Sequence, residues 1–481
     1  MNTKMVRYIL CRMLGVEAAL LLVPVLVAVV YQEKCGIVFL IPIVILCLLF
    51  WVAGRKRPEH GQIYGKEGMV IVALAWILWS LFGAMPFTLS GYIPSYVDAF
   101  FETVSGFTTT GSSIIPDVEV LPHCLLFWRS FTHWIGGMGV LVFVLVVTSL
   151  DRKNSMYLMR AEVPGPEKDK LVPKAMSTAR ILYGMYLTLT VIEMVFLVIG
   201  GMNLFDSMIF SFGSAGTGGF SNYADSVAHF NSAYIDGVIT VFCALFGVNF
   251  ALFYFMILGD FKSILKNEEL RTYILLIAGA TAAIMLNIHS LYPTIGKSFR
   301  YAVFQVVTVI TTTGYSTADF AQWPMFSKAV LMMLTVIGAC ASSTGGGIKV
   351  SRLLVGMKCV KREIVQLAHP KSVGIIRIGG KKVSSDVLRT IYIYFIAYVG
   401  ILIGSVLLVS LDNFDFETTF SAVLTTLGNV GPGMAKVGPM GNFAEFSPLS
   451  KLILCFDMLA GRLEIFPFLV LFTAPAWRRK F

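Results

Sequence analysis

Four short segments rich in glycine, threonine and serine interrupt this chain where apolar, membrane-length sequence surrounds them. They occupy residues 105–113, 214–221, 311–317 and 425–433. Each follows an apolar stretch too short to cross a bilayer (96–107, 204–212, 299–310 and 414–426) and precedes a long one. Non-helical backbone at membrane depth is tolerated only where it is buried in protein or lines a water-filled cavity. Four such interruptions in one chain point to a single ring of backbone carbonyls around an ion path.

The surrounding sequence supports membrane depth. Of the 481 residues 56% are hydrophobic and 14% charged, too few charges to cover a soluble surface. Apolar runs predict full spans over 8–31, 37–53, 69–89, 124–150, 181–200, 235–258, 273–291, 327–357, 391–411 and 449–474. The fold class is therefore an all-α polytopic membrane protein with about ten transmembrane helices. The net charge of +10 is concentrated: about thirty of the 38 Lys and Arg fall at the N-terminus, in connecting segments or in the tail. The segments are Arg55-Lys56-Arg57, 152–180, 262–271 and 349–389, and the tail is Arg478-Arg479-Lys480. The positive-inside rule places them and both termini in the cytoplasm, which leaves no basic surface that calls for nucleic acid.

An apolar run after Lys4 and Arg7 looks like a signal peptide, but Arg12 and Glu17 sit inside it and no small-residue cleavage site follows. A retained first helix is the expectation. The eight cysteines show no C-x-x-C pairing and mostly lie in apolar spans, where Cys acts as a small hydrophobe.

The interruptions recur. Gly111, Gly219, Gly314 and Gly431 are 108, 95 and 117 residues apart. The last eight spans resolve into four copies of helix, half-helix, loop, helix. An even number of crossings separates successive loops, so the copies share one orientation and can surround an axis along the membrane normal. The expected units are 1–60, two extra N-terminal helices; 61–165, the first pore repeat; 166–265, the second; 266–370, the third, with an intramembrane gate loop; and 371–481, the fourth.

A dehydrated potassium ion needs oxygens in place of its water shell, and carbonyls from four loops supply a cage without formal charge. The candidate filter residues are Thr109, Thr110 and Gly111; Thr217, Gly218 and Gly219; Thr312, Thr313 and Gly314; and Asn429, Val430 and Gly431. Glycine permits the positive φ that aims successive carbonyls at one axis. Threonine hydroxyls add oxygens at the inner end. The half-helices point negative dipole ends at the pore, which favours a cation. Phe220 and Tyr315 are placed to buttress the loops from behind.

Below the third loop, residues 338–349 carry Gly345-Gly346-Gly347 where the middle of a span belongs. Each glycine destabilises a helix by about 1 kcal/mol relative to alanine. The segment should unwind, either as a movable barrier under the filter or as a close helix contact through small residues. Arg462 sits mid-span in the last helix, an expensive place for a charge. It either lines the pore or partners Asp457 or Glu464. Arg129 is placed to brace Glu102 on the first half-helix, and His133 reads as packed rather than catalytic. No Walker A, H-E-x-x-H or G-x-S-x-G pattern occurs, and no residues support an enzyme or a bound cofactor.

With these motifs the chain resembles the Trk/Ktr/HKT superfamily of potassium transporters, the bacterial TrkH/TrkG branch most of all. The carrying motifs are Ser-Gly-Phe-Thr-Thr-Thr-Gly at 105–111, Thr-Gly-Gly-Phe-Ser at 217–221, Thr-Thr-Thr-Gly-Tyr-Ser at 311–316 and Asn-Val-Gly-Pro-Gly at 429–433, with Ser-Thr-Gly-Gly-Gly-Ile-Lys at 343–349 and Gly-Arg at 461–462. The resemblance implies gated potassium uptake across a bacterial inner membrane, with K+ held at the filter residues and a gate of Gly345, Gly346, Gly347 and Arg462. It implies a homodimer in membrane lipid with one pore per protomer. It also implies a cytoplasmic nucleotide-binding regulatory subunit of the TrkA/KtrA type, so that any nucleotide sits on the partner. The basic segments 151–180 and 349–389 and the tail either dock that subunit or reflect topology alone. In plant relatives serine at the first filter glycine accompanies sodium transport; here Gly111 is glycine, which favours potassium. Gly218 and Val430 depart from the threonine at Thr110 and Thr313, so the cage is less symmetric than a tetramer's. The alternative is a proton- or sodium-coupled symporter, for which Glu17 and Glu193 are the few candidate relay residues, and neither belongs to the filters.

Overall fold

The computed structural model describes residues 1–58, 64–139, 175–372 and 374–477. Among them, six helices are long and apolar enough to cross a membrane: Thr3–Val30, Lys34–Gly54, Gly65–Leu89, Arg180–Ile199, Glu268–Leu291 and Ser385–Asp412. Their outward faces carry Leu26, Val29, Ile37, Val44, Leu48 and Trp51, all exposed. In water that surface would be an unusually large apolar patch; in hydrocarbon it is the expected exterior. The protein is therefore a multi-pass, all-α membrane protein.

The four short stretches are half-helices: Tyr96–Phe107, Leu204–Gly216, Ile295–Ile310 and Phe416–Gly428. Each begins at a residue whose side chain accepts an amide of the first turn: Ser95 from Asp98, Asn203 from Asp206, Thr294 from Lys297 and Asp415 from Thr418. Such caps satisfy donors that have no intrahelical partner. The half-helices sit inside the protein, with most of their side chains buried. Trp128 anchors the first by packing edge-on against Phe107 while its indole donates to the Gly83 carbonyl at 3.0 Å.

Three expected spans are not continuous. The span over 235–258 is two helices, Ala233–Phe246 and Phe250–Ile257, bent by 93°. Gly247 closes the first and Asn249 caps the second by accepting the Ala251 amide at 2.9 Å. The span over 327–357 is Met325–Ile337 and Val350–Ala368, separated by the glycine-rich loop. The second of these runs on to Ala368 and carries Lys358, Lys361 and Arg362. The span over 449–474 stops as a regular helix at Arg462. Glu464 and Ile465 take positive φ of 51° and 69°, and a short helix Phe466–Leu469 follows. The break within 327–357 is the unwinding that its glycines predict; apolar content set the other two expectations, and it is blind to backbone breaks that tertiary hydrogen bonds can satisfy.

The span over 124–150 is a helix from His123 to Gly137, and its remainder lies outside the described residues. So do nearly all of the basic segment 151–180 and the tail Arg478-Arg479-Lys480.

Candidate ion pathway

The four half-helices end in one backbone motif. Thr109, Thr217, Thr312 and Asn429 each adopt left-handed φ, between 54° and 60°. Two residues later Gly111, Gly219, Gly314 and Gly431 take φ of 82°, 75°, 80° and 96°. Between them, the amides of Thr110, Gly218, Thr313 and Val430 donate five residues back, to Ser105, Gly213, Thr308 and Thr425, at 2.8–2.9 Å. The left-handed residues donate three residues back, to Gly106, Ser214, Val309 and Thr426. This is the Schellman pattern of helix termination. It usually places glycine at the left-handed position, but here a threonine or asparagine stands there at a cost of about 1–2 kcal/mol each.

The loops interlock in a closed cycle. A methyl on Gly111 would stand 1.9 Å from the Gly218 oxygen, one on Gly219 2.0 Å from the Thr313 oxygen, one on Gly314 2.1 Å from the Val430 oxygen, and one on Gly431 2.7 Å from the Thr110 oxygen. Each loop therefore meets the next through a carbonyl, in the order first, second, third, fourth and back to the first. Only glycine allows backbones this close. The structure brings together all twelve candidate filter residues.

Side chains hold the cycle from behind. The Glu102 carboxylate accepts from Arg129 Nε at 2.6 Å, Ser113 Oγ at 3.0 Å and the Ile114 amide at 2.9 Å. Arg129 also donates to the Ser221 carbonyl at 2.8 Å and lies 3.5 Å from the Phe220 ring centroid, linking loops one and two. His133 stacks on Phe220 and its Nδ1 meets the Gly106 carbonyl at 2.7 Å, a packed role. The Tyr315 hydroxyl donates to the Phe210 carbonyl at 3.0 Å, linking loops two and three. Asn429 donates to Thr110 Oγ1 at 3.0 Å and to the Met458 carbonyl at 2.9 Å, linking loops four and one. The threonine hydroxyls are thus engaged with protein: Thr110 with Thr108 and Thr313 with Thr311, both at 2.8 Å.

The segment 338–349 unwinds, as its glycines require, and packs against the third and fourth loops. The Gly346 amide donates to Thr312 Oγ1 at 2.6 Å. A methyl on Gly345 would stand 2.8 Å from the Thr311 carbonyl, and one on Gly346 2.5 Å from that of Gly428. The broken span at 247–249 receives the other side of the segment. The Cys340 amide donates to the Gly247 carbonyl at 3.0 Å, Thr344 Oγ1 to that of Phe246 at 3.2 Å, and the Phe250 amide to that of Ser342 at 3.1 Å. The Glu269 carboxylate accepts the amides of Ala341 at 2.7 Å and Ser351 at 3.1 Å. Sequence reasoning missed this docking, although Gly247-Val248-Asn249 inside an apolar run was the available signal.

Arg462 stands at the end of its helix rather than at mid-span, because the chain turns at Glu464 and Ile465. Its guanidinium donates to the Thr344 carbonyl at 2.6 Å and to the Gly137 carbonyl at 2.9 Å, and also reaches that of Gly136. It thereby ties the unwound segment to the C-terminal end of the helix after the first loop. The carboxylates proposed for it have other partners: Asp457 accepts from Ser405 at 2.6 Å, and Glu464 pairs with Arg352. Lys349 donates to the Gly345 carbonyl within the segment itself. Arg352 is thus paired with Glu464, while Lys349 and Arg462 both reach carbonyls of the unwound segment.

The family model for the cation transport protein TrkH matches residues 36–478. The chain is 36% identical over 467 residues to the Trk system potassium uptake protein TrkH of Salmonella typhimurium, covering 95% of this chain and 96% of that protein. It is 33% identical over 486 residues to the Trk system potassium uptake protein TrkG of Escherichia coli, covering 99% and 100%. Among solved structures, the potassium transporter TrkH from Vibrio parahaemolyticus superposes with a TM-score of 0.90 at 32% identity, over 99% of this chain and all of that one.

Proposed function

Because the chain belongs to the TrkH family of cation transport proteins, we propose that it takes up potassium by passive, gated permeation through the ring of four loops. It is a transport protein, not an enzyme. The observation that carries the reading is the closed cycle of glycine-to-carbonyl contacts, made by four loops of one backbone shape. Carbonyls of Thr109 to Gly111, Thr217 to Gly219, Thr312 to Gly314 and Asn429 to Gly431 replace water around the ion. The C-terminal ends of four half-helices favour its positive charge. The membrane potential drives inward movement, at about 2.3 kcal/mol per charge per 100 mV.

Gly345, Gly346 and Gly347 form the barrier beneath, held closed by Thr312 and Arg462. The Arg462 guanidinium on the Thr344 carbonyl opposes a cation until the segment moves. The setting is a bacterial inner membrane with both termini cytoplasmic, supported by the positive-inside pattern. The partners are a second copy of the chain and a cytoplasmic nucleotide-binding subunit of the TrkA/KtrA type.

Coupled symport is the second reading, favoured by two buried intramembrane carboxyls, Glu17 and Glu193. Reconstitution in liposomes separates the two. Potassium-preferring flux driven by voltage alone, rising when the regulatory subunit is added, supports permeation. Flux that needs a proton or sodium gradient establishes coupling instead.

A further inference from the structure

The helix that leaves each loop begins beside the half-helix of the next repeat, and an ion pair joins three of these four seams. Asp236 accepts from Arg300 Nε at 2.7 Å, tying the helix after the second loop to the third half-helix. Lys328 donates to Glu417 at 2.9 Å, tying the helix after the third loop to the fourth half-helix. Lys451 donates to Asp98 at 2.7 Å, tying the helix after the fourth loop back to the first half-helix. The pairs follow the same order as the cycle of loops.

The pattern holds in detail. Asp236, Lys328 and Lys451 are each the fourth residue of their helix. In every pair the carboxylate lies in the first turn of a helix, where unpaired amides favour an anion. This is so even between the second and third repeats, where acid and base have changed sides. At the remaining seam the fourth position is Leu126. There Phe127 and Phe131 pack on Phe212 of the second half-helix, with centroids 5.7 and 5.6 Å apart. The charged tie of that seam sits deeper, from Arg129 to the Ser221 carbonyl. Exposed ion pairs contribute little, but Asp236 and Lys451 are buried.

We propose that Asp98–Lys451, Asp236–Arg300 and Lys328–Glu417 are positioning pairs that set the spacing of the four loops and thereby the preference for potassium over sodium. The proposal rests on the reading of the loops as a filter. Each paired half-helix has 12 to 16 residues and carries its loop at the end away from the pair. A helix of that length is a rod of about 18–24 Å, so fixing one end limits how far the other can swing. The loops leave no room for a methyl between them, so a small swing at any seam moves carbonyls within the cage.

The test is the potassium-to-sodium permeability ratio, read from reversal potentials of the full-length protein in planar bilayers. Asp236→Asn and Lys451→Gln should each lower it about threefold or more, the scale on which residues in contact couple. Glu417→Gln should lower it less, because Glu417 is exposed, and that exposure lets this variant report even where loss of a buried partner prevents folding. Asp98→Lys combined with Lys451→Asp should recover most of what either reversal alone loses, which a change in stability by itself would not produce. Glu445→Gln is the control. It breaks a pair with Lys436 that crosses no seam, since both residues lie between the fourth loop and the helix that follows it, and it should leave the ratio unchanged. Wild-type ratios in the pair variants, alongside a changed ratio in Gly111→Ser, would overturn the proposal and leave the filter standing. A wild-type ratio in Gly111→Ser as well would overturn the filter and the proposal with it. A lowered ratio that the double reversal fails to recover would also overturn the proposal, assigning the effect to single charges rather than to their pairing.

Discussion

The Thr312 hydroxyl of the third loop accepts the amide hydrogen of Gly346 at 2.6 Å, and both residues are buried. One side-chain oxygen therefore joins the ring of loops to the unwound segment beneath it. The proposed filter and the proposed gate share this contact.

Thr312→Val keeps the shape of the side chain and removes the acceptor. A buried amide left without a partner costs about 1–3 kcal/mol. Borne by the closed state, that cost should raise basal potassium flux in liposomes about tenfold, tenfold being about 1.4 kcal/mol. Thr312→Ser, which keeps the oxygen, should stay close to wild type. Equal flux in all three proteins would separate the segment from gating.

At Gly111 even one methyl has no room, since its position is 1.9 Å from the Gly218 oxygen. Gly111→Ser should push the first and second loops apart and spoil the cage. Reversal-potential recordings should show the preference for potassium over sodium falling about tenfold or more, a loss of about 1.4 kcal/mol or more. Gly184→Ala provides the control, because nothing stands within 4 Å of a methyl there. An unchanged ion ratio in Gly111→Ser would remove the first loop from the filter.

Arg462 satisfies carbonyls of two separate elements with one planar fork. Arg462→Ala should free the unwound segment and raise basal flux. Arg462→Lys should recover only part of the closure, because an ammonium lacks the fork geometry. Deleting 345–347 should raise flux in the same assay. Wild-type conductance in both Arg462 variants would make its role purely structural.

Glu102 and Arg129 are both buried, and their pairing fixes the first loop to the second. Glu102→Gln leaves the Arg129 charge buried without its counter-ion. Losing one partner of a buried pair costs about 3–5 kcal/mol. Thermal unfolding in detergent should therefore begin at a clearly lower temperature. An unshifted unfolding curve would show that Arg129 finds another partner.

The half-helices were the most legible part of the fold. Tyr96–Phe107 has the bounds expected from sequence, and the other three differ by a few residues at one or both ends. Short apolar length, a capping residue and a following glycine are all local signals. The brace between Glu102 and Arg129 was legible for a related reason, since two opposite charges in apolar surroundings need each other. The broken span at 247–249 was missed, because Gly247 and Asn249 were its only local signal in an apolar run and its backbone partners lie about ninety residues further along.

Amino-acid order alone determined that this chain lives in a membrane, that four short helices stop inside it, and that each stops at a loop able to bend toward an axis. Those properties follow from apolar length, caps and the freedom of glycine, all read within a few residues. Tertiary structure alone decided which loop touches which, and that Arg462 serves the carbonyls of Thr344 and Gly137 while Glu464 goes to Arg352. Those choices join residues roughly ninety to three hundred and twenty-five positions apart. They were settled by which buried polar groups could satisfy one another once water was excluded.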